Sequence, residues 1–215
     1  AAKTLMDEFG ISQGVIITIN KRIPIAGGMA GGSSDCATTM IGINQMFNLG
    51  LDKKALMERG VKLGADVPYC ILGGTAIARG IGEVLTPLKT PPQCHVIIAK
   101  PPVSVSTAFV YGHIRPNQIK KHPDVEKMVE AINNQDLKML AGLLSNVMEE
   151  VTIPEYPIIQ DIKEVMLENG ALNSIMSGSG PTVFGLYDDK ESAEKTVELL
   201  KEKQLTEQVY LTKFI

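Results

Sequence analysis

Four glycines, Gly27, Gly28, Gly31 and Gly32, fall within six positions of the run Pro24-Ile25-Ala26-Gly27-Gly28-Met29-Ala30-Gly31-Gly32-Ser33-Ser34-Asp35. Glycine adopts backbone angles that other residues avoid and lets a ligand come close to the main chain. Ser33, Ser34 and Asp35 are helix-opening residue types, and an aspartate suits the positive end of a helix. Bare amides leading into a helix N-terminus attract anions. The chemistry this predicts is phosphate binding, with Pro24, Ala26, Gly27, Gly28, Met29, Ala30, Gly31, Gly32, Ser33 and Ser34 around the phosphates of a nucleotide. The competing reading is a glycine-rich turn with a structural role only. Two well-known phosphate motifs do not fit. G-x-x-x-x-G-K-[ST] needs a lysine, and none lies between Gly27 and Met40, while the spacing of G-x-G-x-x-G is not met.

Two more stretches could do chemistry. Asp66 sits in Gly64-Ala65-Asp66-Val67-Pro68, where small neighbours let a carboxylate reach an alcohol and take its proton. A turn or capping aspartate is the alternative there. Ser177-Gly178-Ser179-Gly180 separates two strand-like runs and is either a plain turn or a second backbone approach to an anion. The Ser33 and Ser34 hydroxyls can meet phosphate oxygen or a metal, with Ser34 the expected metal ligand. His95, His113 and His122 have no metal-binding spacing and read as surface or core residues.

These residues need elements to hold them. The chain opens with an amphipathic helix over 3–9, closed by Gly10, and Val15 to Lys21 reads as a strand feeding the glycine loop. Cys36, Met40, Ile43 and Phe47 keep helical spacing after the loop, predicting a helix from about Ser33 to Phe47. Asp52 caps the next helix, which carries Leu56, Met57 and Leu63. Pro68 disfavours helical angles at Val67, which puts Asp66 in a loop or at a helix edge. Residues 69–72 and 75–79 read as short strands or turns, and 80–83 as a turn. Pro91-Pro92 marks a domain boundary within 89–93. Beyond it come a strand over 95–100, helices over about 106–111, 124–133, 137–144 and 157–169, strands over 171–176 and 182–187, a helix over 191–202 and a strand over 208–214. That order compresses to β-α-β-β-α-β, the ferredoxin-like signature.

The chain has 215 residues, of which 44% are hydrophobic and 21% charged, ordinary globular values, and the order of elements makes the fold class α+β. A net charge of −3 gives no electrostatic case for nucleic acid or an anionic membrane surface as partner. Three cysteines without a C-x-x-C pair argue against a disulfide framework or a zinc site and for a reducing compartment, the cytoplasm by default. No apolar run approaches membrane-spanning length.

Four blocks, in order, carry a resemblance. The run from Pro24 to Asp35 resembles the second motif of the GHMP small-molecule kinases, and Met176 to Phe184 resembles their third. Gly64 to Cys70 (G-A-D-V-P-Y-C) and Ala99 to Tyr111 (A-K-P-P-V-S-V-S-T-A-F-V-Y) agree with the branch that phosphorylates a cytidine-diphosphate-linked methylerythritol on its 2-hydroxyl, a step of the methylerythritol phosphate route to isoprenoids. The resemblance implies an incomplete ribosomal-S5-domain-2-like ATP-binding domain over 1–90 and a ferredoxin-like βαββαβ substrate domain over 91–215. It implies ATP and Mg2+ as cofactors and Asp66 as the catalytic base, also touching substrate. Gly178, Ser179 and Gly180 would approach the triphosphate, Thr107 the methylerythritol end, and Tyr111 would stack on the cytosine. Family members carry an earlier segment with a first motif, including a lysine, that these residues do not contain; an open sheet edge would then favour a homodimer. The alternatives are a member acting on homoserine or mevalonate, or a non-catalytic fragment that binds nucleotide.

Overall fold

Met40, Ile43 and Ala37 form the buried stripe of the long helix that follows the glycine loop, and they centre one of two units. The computed structural model describes residues 1–119 and 122–214. The first unit comprises Ala1–Ile25 and Ala30–Leu88; the second comprises Ala26–Met29 and the chain from Lys89 onward.

In the first unit, α1 (Ala2–Glu8), α2 (Gly31–Met46), α3 (Lys53–Gly60) and α4 (Val67–Leu72) gather Leu5, Leu56, Val67 and Ile71 around the α2 stripe. Asp52 caps α3 by accepting from the Ala55 amide at 2.8 Å, as its position predicts. A Cβ on Gly60 would lie 2.8 Å from Val67 Cγ1, so α3 and α4 pack this closely only with glycine there. The hairpin β1 (Thr75–Arg79) and β2 (Val84–Leu88) is antiparallel, pairing Thr75 with Leu88 and Arg79 with Val84.

Two expectations fail in this unit, and one helix starts earlier than its residue types suggest. Residues 15–21 join no ladder among the described residues, although Ile16, Ile17 and Ile19 have strand character; a strand needs a neighbour to receive its amides. Residues 69–72 belong to helix α4, with Val67 helical, because Pro68 falls in the first turn where its missing N–H is not needed. Helix α2 begins at Gly31, two residues before Ser33, since its N-cap Ala30 turns the chain in the left-handed region. Strand β2 was not foreseen, as Pro87 breaks its pattern.

The second unit is a four-stranded antiparallel sheet of β3 (His95–Lys100), β4 (Asn173–Met176), β5 (Val183–Tyr187) and β6 (Gln208–Lys213), in the order β4-β5-β3-β6. Antiparallel neighbours in this order with two crossovers are the ferredoxin-like arrangement that the chain order predicts. Its first crossover holds α5 (Thr107–His113), α6 (Val125–Asn133), α7 (Leu137–Leu143), α8 (Glu149–Glu155) and α9 (Ile158–Glu168), and its second holds α10 (Lys190–Glu202). Alternate residues of β3 face opposite ways. Ile97 and Ala99 join Ile159, Ile162, Val165 and Met166 of α9 and Ala193 and Leu200 of α10. Val96 joins Cys94, Ala141 of α7 and Leu186. Each fully buried aliphatic side chain contributes on the order of 1.5–3 kcal/mol by leaving water. Helix α8 was not foreseen: Pro154 lies inside it and hides it from a propensity reading.

Candidate active site

The glycine loop is built from left-handed residues. Ala26 has φ +54°, Gly28 +68° and Ala30 +49°. For alanine this costs about 1–2 kcal/mol, which the surrounding structure must supply. At Gly28 the neighbours explain the residue type: a Cβ there would meet Ser177 O at 2.6 Å and Gly180 O at 2.9 Å. Beyond Ala30, helix α2 starts with no side-chain cap and no acidic residue in its first turn. Its first intrahelical bond at this end runs from the Ser34 amide to Ala30 O, at 2.9 Å. The preceding amides of Gly31, Gly32 and Ser33 are those a helix leaves unpaired, and with the helix dipole such amides suit an anion.

Lys21 lies outside every motif in the sequence, yet its ammonium stands beside this helix start. Its ammonium pairs with Asp35 at 2.5 Å, and a Cβ on Gly31 would sit 3.2 Å from its Nζ. A lysine thus stands beside the helix start, supplied from before the loop rather than from within it. Only its place in the stretch leading to the loop could have signalled this. Ser33, Ser34 and Asp35 lie within α2 rather than capping it. The Ser34 hydroxyl donates to Gly31 O at 3.2 Å, leaving its lone pairs free to face a cation.

Asp66 is the N-cap residue of α4, but its carboxylate makes no capping bond. The capping role offered as its alternative is therefore not filled. The side chain is exposed, and the block it belongs to lies near the start of α2: a Cβ on Gly64 would be 3.8 Å from Ser33 Oγ. In the same helix, burial and then the Asp66 charge push the Cys70 thiol up.

In the second unit, the Ser177–Gly180 turn meets the first half of the glycine loop. Ser177 Oγ donates to Gly28 O at 2.8 Å, and Gly178 and Gly180 have φ of +56° and +88°. The turn closes through Gly180 N to Ser177 O at 2.9 Å and Ser177 N to Thr182 O at 2.8 Å. Thr107 Oγ1 shares a 2.9 Å hydrogen bond with Ser179 Oγ, which ties the start of α5 to this turn. Tyr111 stands one helical turn further on the same face and is 62% exposed, so it is not a core-packing residue. Thus Gly28, Ser177 to Gly180 and Thr107 are brought together in the second unit, and Ser33, Ser34, Lys21 and the Asp66 block in the first.

Mg2+ takes oxygen donors and usually keeps waters and substrate phosphates around one or two protein ligands. No cluster of three or more His, Cys, Asp or Glu side chains among the described residues could hold a metal by itself. The Ser34 hydroxyl beside an anion site fits the phosphate-shared kind of magnesium site.

Two family models match the chain: the GHMP kinases N terminal domain over residues 1–74, and the GHMP kinases C terminal over 128–204. The chain belongs to the GHMP kinase family. A curated relative from Lachnoclostridium phytofermentans, 4-diphosphocytidyl-2-C-methyl-D-erythritol kinase, is 52% identical over 214 residues, covering 100% of this chain and 74% of the relative. A relative of the same name from Geobacillus sp. is 54% identical over 186 residues, covering 86% of this chain and 64% of its own length. Among solved structures, the crystal structure of 4-(cytidine 5'-diphospho)-2C-methyl-D-erythritol kinase superposes with a TM-score of 0.81 at 30% identity, over 99% of this chain and 75% of that one. A homoserine kinase from Cytophaga hutchinsonii gives a TM-score of 0.78 at 21% identity, over 99% and 73%, a likeness of fold alone. A GHMP kinase uses ATP as phosphate donor, and the uncapped start of α2 is the part of this chain that suits a phosphate.

Proposed function

We propose that this GHMP kinase transfers the γ-phosphoryl group of ATP to the 2-hydroxyl of 4-diphosphocytidyl-2-C-methyl-D-erythritol, a step of the methylerythritol phosphate route to isoprenoids. The observation that carries the reading is the uncapped α2 N-terminus behind a loop of left-handed residues, in a chain 52% identical to a kinase of that name. Residues 1–90 serve as the ATP-binding part and 91–215 as the substrate part.

The amides of Gly31, Gly32 and Ser33 hold phosphate oxygens of ATP, and the Lys21 ammonium adds positive charge. In the second unit, the Ser177–Gly180 turn fixes the bend of the loop at Gly28. Asp66 accepts the proton of the attacking hydroxyl as its oxygen bonds to the γ-phosphorus. The bond from phosphorus to the β-γ bridging oxygen breaks, and ADP leaves with that electron pair. Bound Mg2+, with Ser34 as its protein oxygen, would neutralise charge on the phosphates. Thr107 borders the methylerythritol end and Tyr111 offers an exposed ring for the cytosine. A cytoplasmic location is part of the same reading, supported by three free cysteines that suit a reducing compartment. Self-association through residues 15–20, where Ile16 is 98% exposed, belongs to the same reading and is checked by light scattering.

A coupled ADP-release assay tests the reading. The cytidylyl alcohol turns over, homoserine and mevalonate do not, and Asp66→Asn lowers kcat by roughly 10²–10⁴-fold while ATP still binds. Turnover of mevalonate or homoserine in place of the cytidylyl alcohol overturns the substrate; a fully active Asp66→Asn overturns the base.

A further inference from the structure

Residues before and within α8 grip the Ser177–Gly180 turn at three points. Asn146 spends both amide hydrogens on it, donating to Met176 O at 2.8 Å and to Gly178 O at 2.7 Å. Glu149 accepts the Met176 amide at 2.7 Å, and Thr152 Oγ1 donates to Ser179 O at 3.3 Å. The spacing 146, 149, 152 presents all three to one side. Asn146 is itself fixed by its own backbone: its Oδ1 accepts the Met148 amide at 2.9 Å, and its carbonyl accepts the Glu149 amide at 3.1 Å. Its side-chain amide therefore has no free donor and a set orientation.

What Asn146 holds reaches the phosphate loop in one more step. Ser177, between the two carbonyls that Asn146 binds, donates to Gly28 O at 2.8 Å, and the space beside Gly28 is filled by Ser177 O and Gly180 O. We propose that Asn146 is a positioning residue for nucleotide binding: it sets the Ser177–Gly180 turn, and the turn sets the left-handed bend at Gly28. The inference rests on the kinase reading for its functional half and on geometry alone for its structural half. The Asn146 side chain bonds to the turn and to its own backbone and acts on Gly28 only through the turn. Its removal leaves two carbonyls without a donor and lets the turn drift.

The experiment compares Asn146→Ala and Asn146→Asp with Asn173→Ala. Asn173 donates to Ala141 O at 2.6 Å, so its loss removes a side-chain to backbone bond of the same unit away from the turn. In the full chain without ligand, hydrogen exchange is read at the amides of Met176, Ser177 and Gly180 and at the β3 and β5 ladder. Losing Asn146 speeds exchange of the turn amides roughly tenfold and leaves the ladder unchanged, while Asn173→Ala leaves the turn unchanged. Asn146→Asp, which faces two carbonyls with a carboxylate, has a larger effect than alanine. In the kinase assay the Asn146 variants raise KM for ATP about 5–30-fold, with KM for the alcohol unmoved. If Asn146→Ala does not fold, Ser177→Ala, which cuts the link to Gly28, gives the same rise in ATP KM.

Each outcome decides something. Unchanged turn exchange, or an equal rise with Asn173→Ala, overturns the positioning role while leaving the kinase reading standing. Faster turn exchange with unchanged ATP KM overturns its service to the nucleotide. Faster turn exchange in the Asn146 variants, with a wild-type protein that turns over none of the alcohols, supports the structural half and sinks the kinase reading instead.

Discussion

Gly28 and Lys21 carry the sharpest consequences of single side chains. At Gly28, alanine must hold φ near +68° and place a methyl 2.6 Å from Ser177 O, a backbone atom that cannot rotate away. Gly28→Ala is therefore expected to cost about 1–3 kcal/mol in urea unfolding and to raise KM for ATP, because loop and turn must separate to admit the methyl. Gly32, with nothing near its Cβ and inside the first helical turn, is the contrast: alanine there should leave stability unchanged or improve it. A loop whose glycines were all interchangeable would lose stability equally at both positions. Lys21 is paired with Asp35 while remaining partly exposed, so the pair itself adds little to stability. Lys21→Met should leave the melting temperature nearly unchanged and raise KM for ATP roughly tenfold, since a charge-assisted phosphate contact is worth about 1.5–3 kcal/mol. Equal ATP KM values for the two proteins would remove Lys21 from the site.

Helix α8 shows how elements arrange what residues do, and why part of this arrangement was not readable beforehand. Glu149 accepts the Met176 amide through Oε1 and pairs with Lys163 of α9 through Oε2 at 2.5 Å; the two side chains are 18% and 13% exposed. Glu149→Gln strands a nearly buried ammonium and should cost about 2–4 kcal/mol, whereas the double change with Lys163→Met should recover much of that loss. Additive losses in the cycle would mean the two side chains act separately. Helices with local signals were legible: Asp52, Asp124 and Asp189 cap α3, α6 and α10 through their own carboxylates, and the α9 stripe repeats at helical spacing. The ferredoxin-like order was legible too, because apolar strands and amphipathic helices alternate in its sequence. Helix α8 was not, because Pro154 argues locally against a helix that tertiary contacts maintain. The strand expected over 15–21 failed for the opposite reason, since its local pattern is right and no ladder partner is present among the described residues. In the site, the glycine loop could be read from residue types and spacing, whereas Asp66 competed with a turn or capping role and rested on the resemblance. Lys21, Asn146 and Glu149 could not be read, since each acts on residues 14 to 32 positions away.

For the molecule as a whole, the buried titratable groups predict how stability falls with alkali. Burial pushes the Cys94 thiol up to about 11 and the Tyr187 hydroxyl up to about 12. Both lie in the second unit, Cys94 against Val96 and Leu186 and Tyr187 against the α9 and α10 side chains, while in the first unit burial also raises the Cys36 and Cys70 thiols. Each group keeps its proton in the folded state after the unfolded chain has lost it. Where the folded state binds more protons, stability decreases as pH rises. The Cys94 contribution is complete below the ordinary thiol value and is lost between about pH 8.5 and 11; that of Tyr187 is lost between about pH 10 and 12. Within its window each group steepens the decline by up to about 1.4 kcal/mol per pH unit. Urea midpoints measured from pH 8 to 12 should fall in two overlapping steps. Cys94→Ala should flatten the first and Tyr187→Phe the second, even though Tyr187→Phe begins lower through loss of the hydroxyl bond to Met166 O. A Tyr187→Phe protein that keeps the full fall above pH 10 would place the alkaline limb in other groups.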